Sequence, residues 1–446
     1  MNHTDLTQGD EKHHLIGQTV PMVWGLLAIM SMSLVDTWFI AQLGIDEVAA
    51  VGFSFPIVIV LSSLAFGVGT GASSVIARAI GEGDSSRVAC YTTHALLIAF
   101  VIGIIFAFSG SQTIDIAFRA LGAEDKLLPL IHDYMDIWYL GCFLIVVPMV
   151  GNSAIRAAGN SKVAAYVMTS MALVNMALDP IFIFGLFGFP RLELQGAALA
   201  TMAAYLVSFC VSLYVLKVKL NMIGLDACVK RVRESWQAIL RLAIPAAITN
   251  MVTPLSSVIA LWMIAKFGSV AVAGFSVATR IEALLLLVLM SLSAVIAPFV
   301  GQNWGAGFYH RVRRAARLGY SFSFIWGLGI AVMMAIIATP LVRFFNDDAG
   351  MLDAAVTYLY VIPITYGFLG VTMIASSVAN GVGDPIPALI ISIMRLLVIF
   401  VPLALVLVNY FGLPGIYAAI AGSNVLVGAG AMIWTSRRCR GDVAMA

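Results

Sequence analysis

Charge is what this 446-residue chain lacks. Only 11% of its residues are Asp, Glu, Lys or Arg, where a soluble domain carries about 25%. Apolar residues make up 61%, and runs of more than 20 of them recur along the chain, which excludes a soluble globular protein. Little length is left outside those runs, so a built-in ATPase domain is excluded too. Cysteine is sparse and scattered: Cys90, Cys142, Cys210, Cys228 and Cys439 form no CxxC, and two of them fall inside apolar runs. A disulfide framework or a cysteine metal cluster is not expected. The six histidines are dispersed without HExxH spacing, and His94, near a helix start, reads as an interfacial residue. No nucleophile–base pair or metal set stands out, so no enzyme is expected. The glycine-rich stretch GVGTGASS, 67–74, has no lysine and no preceding strand. It reads as close helix packing by small residues rather than a phosphate loop.

What is present is helix. Apolar runs fall at about 15–43, 49–80, 92–110, 133–158, 163–187, 193–217, 236–265, 272–302, 312–340, 352–380, 386–409 and 414–435. The expectation is an all-α integral membrane protein of twelve spans. The first fourteen residues are polar, and the run after them is too long for a signal-peptide core, so it reads as a retained first helix. The basic residues set an orientation. With a cytoplasmic N-terminus, eighteen Lys and Arg fall on inner segments and five on outer ones, which places both termini in the cytoplasm. The basic run RVRRAAR, 311–317, then reads as part of that signal rather than as a nucleic-acid or lipid site.

The chain also repeats. Gly52-Phe53-Ser54 recurs as Gly274-Phe275-Ser276, and Ile80-Gly81-Glu82-Gly83 resembles Val300-Gly301-Gln302-Asn303. Ala158-Gly159-Asn160-Ser161 resembles Val382-Gly383-Asp384-Pro385, and Gln195-Gly196-Ala197-Ala198 resembles Pro414-Gly415-Ile416-Tyr417. The offsets are all about 220 residues. Six helices followed by six of the same orientation make a parallel repeat around a central cavity, a transporter architecture. The expected organisation is a polar N-terminus 1–14, an N-terminal lobe 15–217, an inter-lobe loop 218–235, a C-terminal lobe 236–435 and a tail 436–446.

A few charges stand inside the spans. Asp36 is the only charge between Leu15 and Gly44. Asp179 lies in the fifth span, with Asn175 one turn before it on the same face. Both acids sit eight residues before their outer helix ends, at similar depth. Two acids and an amide in one half of a bundle suit a proton or cation relay, because a carboxyl held away from water binds a proton more readily than an exposed one. The second half does not repeat them: Asp36 corresponds to Ala260, and Asp179 falls near Leu403. Its own charges are Arg280, Glu282 and Arg395. Glu282 and Arg395 are placed for an ion pair between helices, and all three read as structural or gating charges. Pro21, about four turns before Asp36, permits either a fixed kink or a bend linked to protonation. Most of the twenty-one methionines read as lipid-facing filler.

These residues carry a resemblance. TVPMVWGLLAIMSMSLVDTWFIAQLG, AIRAAGNSK, NMALDP, LQGAALAT and ATRIEALL together resemble the multidrug and toxic compound extrusion (MATE) family, and more closely its DinF-like branch. The resemblance implies two six-helix lobes forming a V around the cavity. It implies export of amphipathic, often cationic, drugs in exchange for H+ or Na+, with the ion as cargo and no cofactor. It implies a cation site at Asp36, Asn175, Asp179 and Thr201, with Tyr139 and Asn152 lining the same pocket and Pro21 as the bending proline. The NorM-like branch has an acid in span seven where this chain reads AAITNMVTPLSS. The expected localisation is the inner membrane, among lipids, as a monomer, with no nucleic-acid partner. A lipid-linked oligosaccharide flippase of related fold is the alternative; it would need basic residues in its cavity, and only Arg280 and Arg395 qualify.

Overall fold

The computed structural model describes residues 5–224, 231–345 and 347–441. Fifteen α-helices dominate, and the described residues contain no strand. Eleven helices are long and apolar enough to span a membrane, and a bent pair makes a twelfth. The protein is therefore a multi-pass membrane protein of the expected all-α class.

The first half contains α1 (Glu11–Ala41), α2 (Ile45–Gly81), α3 (Ser85–Ala120), α4 (Leu128–Leu140), α5 (Cys142–Ala157), α6 (Ser161–Phe184) and α7 (Glu193–Tyr214). Two details differ from the reading of the sequence. The apolar run 133–158 is a broken span, with α4 and α5 meeting at Gly141 at 50°. Helix α3 extends well beyond the apolar run 92–110, because its polar ends are also helical. His94 consequently lies nine residues inside α3 and is 3% exposed.

The second half contains α8 (Val232–Ala265), α9 (Ser269–Gly305), α10 (Tyr309–Arg343), α11 (Ala349–Val361), α12 (Tyr366–Val382), α13 (Ile386–Ile393), α14 (Phe400–Phe411) and α15 (Leu413–Gly441). A π-helical segment, Met394–Ile399, joins α13 to α14 and carries Arg395. Residues 225–230 of the inter-lobe loop and 442–446 of the tail lie outside the described residues, as do 1–4.

By contacts the chain forms two compact units, Gly17–Ala247 and Leu6–Ile16 with Ile248 onward. The beginning of α8 thus belongs with the first half. The reason lies in α2: a Cβ on Gly67 would meet Ala247 and the carbonyl of Ala243, and one on Gly71 would meet the carbonyl of Ile239. Segment 67–74 is helical and packs closely, as the small residues suggest. The same device recurs at Gly103 against the Phe143 backbone and, in the second half, at Gly327 against Gly367 and Gly428 against Phe368.

Each unit has its own apolar core. In the first, Phe118, Ile131, Met135, Val146, Ile155, Leu216 and Ile239 are all but fully buried. In the second, Tyr358, Leu359, Tyr366, Ile416 and Tyr417 occupy the corresponding place.

Candidate functional site

Helices α6 and α7 form the rigid side of the site. The chain reverses through Gly185, left-handed at φ 75°, and Gly196 permits α7 to approach the carbonyl of Phe182. This pairing sets Thr201 of α7 opposite Asn175 of α6. The Asn175 amide Nδ2 donates to Asp179 Oδ1 at 3.2 Å and to Thr201 Oγ1 at 3.3 Å. Asn175 and Asp179 are fully buried, and Thr201 is buried. Asp36 of α1 is half-buried and lies within electrostatic reach of Asp179.

Burial leaves oxygens over. Asp36 Oδ1, Asp179 Oδ2 and Asn175 Oδ1 are each buried with no donor. Buried polar atoms are nearly always satisfied, so three acceptors without donors on two facing helices are an arrangement that suits a proton or a hard cation. Beside them lies a small patch of Met32, Met171, Ala172 and Ala204, flanked by Tyr205.

Two further side chains belong to the surroundings. Tyr134 of α4 is buried and within electrostatic reach of Asp36, Asp179 and Tyr205. Tyr139, expected in the pocket, packs instead against Gly110 of α3. Asn152 of α5 is buried with its Oδ1 lacking a donor, outside the Asn175 hydrogen-bond set. A signal for Tyr134 exists in the repeat: at the offset linking Ala158 to Val382 it pairs with Tyr358.

Tyr358 marks a second polar cluster, within the second half. Its hydroxyl donates to Glu282 Oε2 at 2.6 Å, and Tyr366 is also in electrostatic reach of that carboxylate. Arg395 donates to Asn424 Oδ1 at 3.2 Å, and the Asn424 amide donates to Thr365 Oγ1 at 3.1 Å. Glu282 and Arg395 thus attract one another without the contact expected of an ion pair; tyrosine and asparagine take the close positions. Arg280, on the other side of α9, is exposed. Pro21 lies inside an unbroken α1.

Comparison with known proteins agrees with the architecture. The MatE family model matches residues 21–181 and 245–406. An "FAD transporter" of Shewanella oneidensis is 37% identical over 426 residues, 95% of this chain and 94% of the relative. A "probable multidrug resistance protein" of Bacillus subtilis is 27% identical over 410 residues, 90% of this chain and 88% of that protein. Among solved structures, the Vibrio cholerae MATE transporter VcmN in the bent form is similar with a TM-score of 0.91 at 28% identity, covering 96% of this chain and 97% of that one.

Proposed function

Since the chain belongs to the MatE family of transporters, we propose that it is a secondary-active exporter driven by cation entry through Asp36, Asn175, Asp179 and Thr201. The observation that carries this reading is the set of three buried oxygens without donors on α1 and α6. Asp36 and Asp179 take the coupling ion; Asn175 fixes Asp179 and Thr201 in register. Tyr134 completes the wall on the α4 side. A proton is the preferred ion and Na+ the second, since a carboxylate and amide oxygen set suits either. On this reading the protein sits in the inner membrane, and the charge bias in the loops supports cytoplasmic termini.

Two cargo classes follow from different observations. Spans with few charges favour amphipathic, often cationic, drugs, in keeping with relatives named for multidrug resistance. The relative at 37% identity favours a flavin dinucleotide. Energetics separate the two. One proton entering supplies about 1.4 kcal/mol per pH unit and about 2.3 kcal/mol per 100 mV. A monovalent cation leaving in exchange cancels the voltage contribution. An anion leaving adds to it, by about 2.3 kcal/mol per charge per 100 mV, so FAD export needs less from the proton. The flippase alternative has less support, since Arg395 is already engaged by Asn424.

Efflux of ethidium and of FAD from proteoliposomes, each under a proton gradient and a sodium gradient, tests both points. Proton-driven efflux of either, lost in Asp36→Asn, is the expected result. Sodium-driven efflux makes the carboxylates a metal-ion site. Driven efflux that survives neutralising both Asp36 and Asp179 removes the coupling assignment.

A further inference from the structure

The turn between the second and third helix of each repeat has diverged in a telling way. In the first half, Arg87 is half-buried and pairs locally, with Glu82 at 3.2 Å and Asp84 at 3.4 Å. At the repeat offset it becomes Arg311. There the turn reads Gly305-Ala306-Gly307-Phe308, with no acid, and yet Gln302 and Asn303, in the last turn of α9, are fully buried and Arg311 is 8% exposed.

What covers them is the N-terminal segment. The Leu6 amide donates to Gln302 Oε1 at 3.1 Å, and the Leu6 carbonyl accepts from Asn303 Nδ2 at 3.1 Å and Arg311 Nη2 at 3.2 Å. Arg311 Nη1 donates to the Gly9 carbonyl at 2.8 Å, and its Nε donates to Asn303 Oδ1 at 2.7 Å. Glu11, 4% exposed, replaces the missing acid, 3.6 Å from both Arg311 and Arg314. The Leu6 side chain is fully buried. An isolated polar tail gains nothing from such order. Several charge-assisted bonds around one desolvated guanidinium make a cooperative dock.

The grouping of the chain changes immediately beyond it. Leu6–Ile16 belongs with the second half and Gly17 onward with the first. Gly17 has nothing within 4 Å of the place a Cβ would occupy, and Pro21 has no N–H to offer the Gly17 carbonyl four residues before it. The helix is therefore weakest where the grouping changes.

We propose that residues 6–11 are a permanent anchor that keeps the base of α1 on the second half throughout transport. The anchor is distinct from the cation site and does not depend on what is exported.

Thiol accessibility tests it without a substrate. In a chain with its five native cysteines replaced, Leu6→Cys is labelled with a maleimide. Labelling is expected to be slow, and equally slow when Asp36→Asn mimics the proton-loaded carboxyl. Arg311→Met is expected to speed it about tenfold or more, the change that about 1.4 kcal/mol makes, in protein that still elutes as a single species. Glu11→Gln, with a smaller increase, serves if Arg311→Met does not fold. Faster labelling in Asp36→Asn means that the segment releases on loading and overturns permanence. Unchanged labelling in folded Arg311→Met or in Glu11→Gln overturns the dock itself.

Discussion

Asn175 serves two partners with one amide nitrogen, holding Asp179 along α6 and Thr201 across to α7. Replacing it with Leu strips a buried carboxyl of its donor, a loss that costs about 1–3 kcal/mol. Asn175→Leu should therefore unfold at lower temperature in detergent and lose gradient-driven efflux, whereas Thr201→Ser, which keeps the hydroxyl, should retain both. The second cluster makes a parallel case. Glu282→Gln keeps an acceptor for Tyr358 and should melt near wild type; Glu282→Leu leaves that hydroxyl buried and unpaired and should melt clearly lower. How much of this was legible depends on distance along the chain. Asn175 and Asp179 share a face by spacing alone. Thr201 needed the family resemblance, since no local pattern links it to α6. Tyr134 was missed because an aromatic in an apolar helix reads as core, and only the repeat singles it out. The Glu282–Arg395 contact was expected from charge, but charge alone cannot reveal the tyrosine and asparagine that occupy the close positions.

Helices were more legible than sites, because burial in lipid demands long apolar runs and the runs are visible. Their ends were less so. Helix α3 continues into polar residues that hydropathy does not count, and the break at Gly141 looks, in sequence, like one glycine among several in apolar helices. Where helices touch, glycine sets the distance. A Cβ on Gly327 of α10 would collide with the Gly367 nitrogen of α12. Gly327→Val should cost about 1–3 kcal/mol or more through overpacking. Gly329, two residues on, has nothing within 4 Å, and Gly329→Val should stay within about 0.5 kcal/mol of wild type. Thermal unfolding of the two variants side by side checks the contrast; equal losses would mean that helix propensity, not contact, sets the cost.

At the scale of the whole molecule, the repeat and the charge bias make one joint prediction. Six spans per half is an even number, so Gly44 and Gly268, which end the first span of each half, must lie on the same side of the membrane. The basic residues decide which side: eighteen on one set of segments against five on the other is a large bias by the rule that retains Lys and Arg in the cytoplasm. Gln42 and Lys266, next to these glycines, are exposed, as is Lys217 at the opposite helix ends. Gln42→Cys and Lys266→Cys should both react with an impermeant maleimide in intact cells, and Lys217→Cys only after permeabilisation. Labelling of Gln42→Cys but not Lys266→Cys would break the parallel repeat. The reversed pattern for all three would keep the repeat and reject the charge-based orientation. On the proposed coupling at Asp36, which needs ions from outside to reach the outer half of α1, that reversal would also invert the direction of transport.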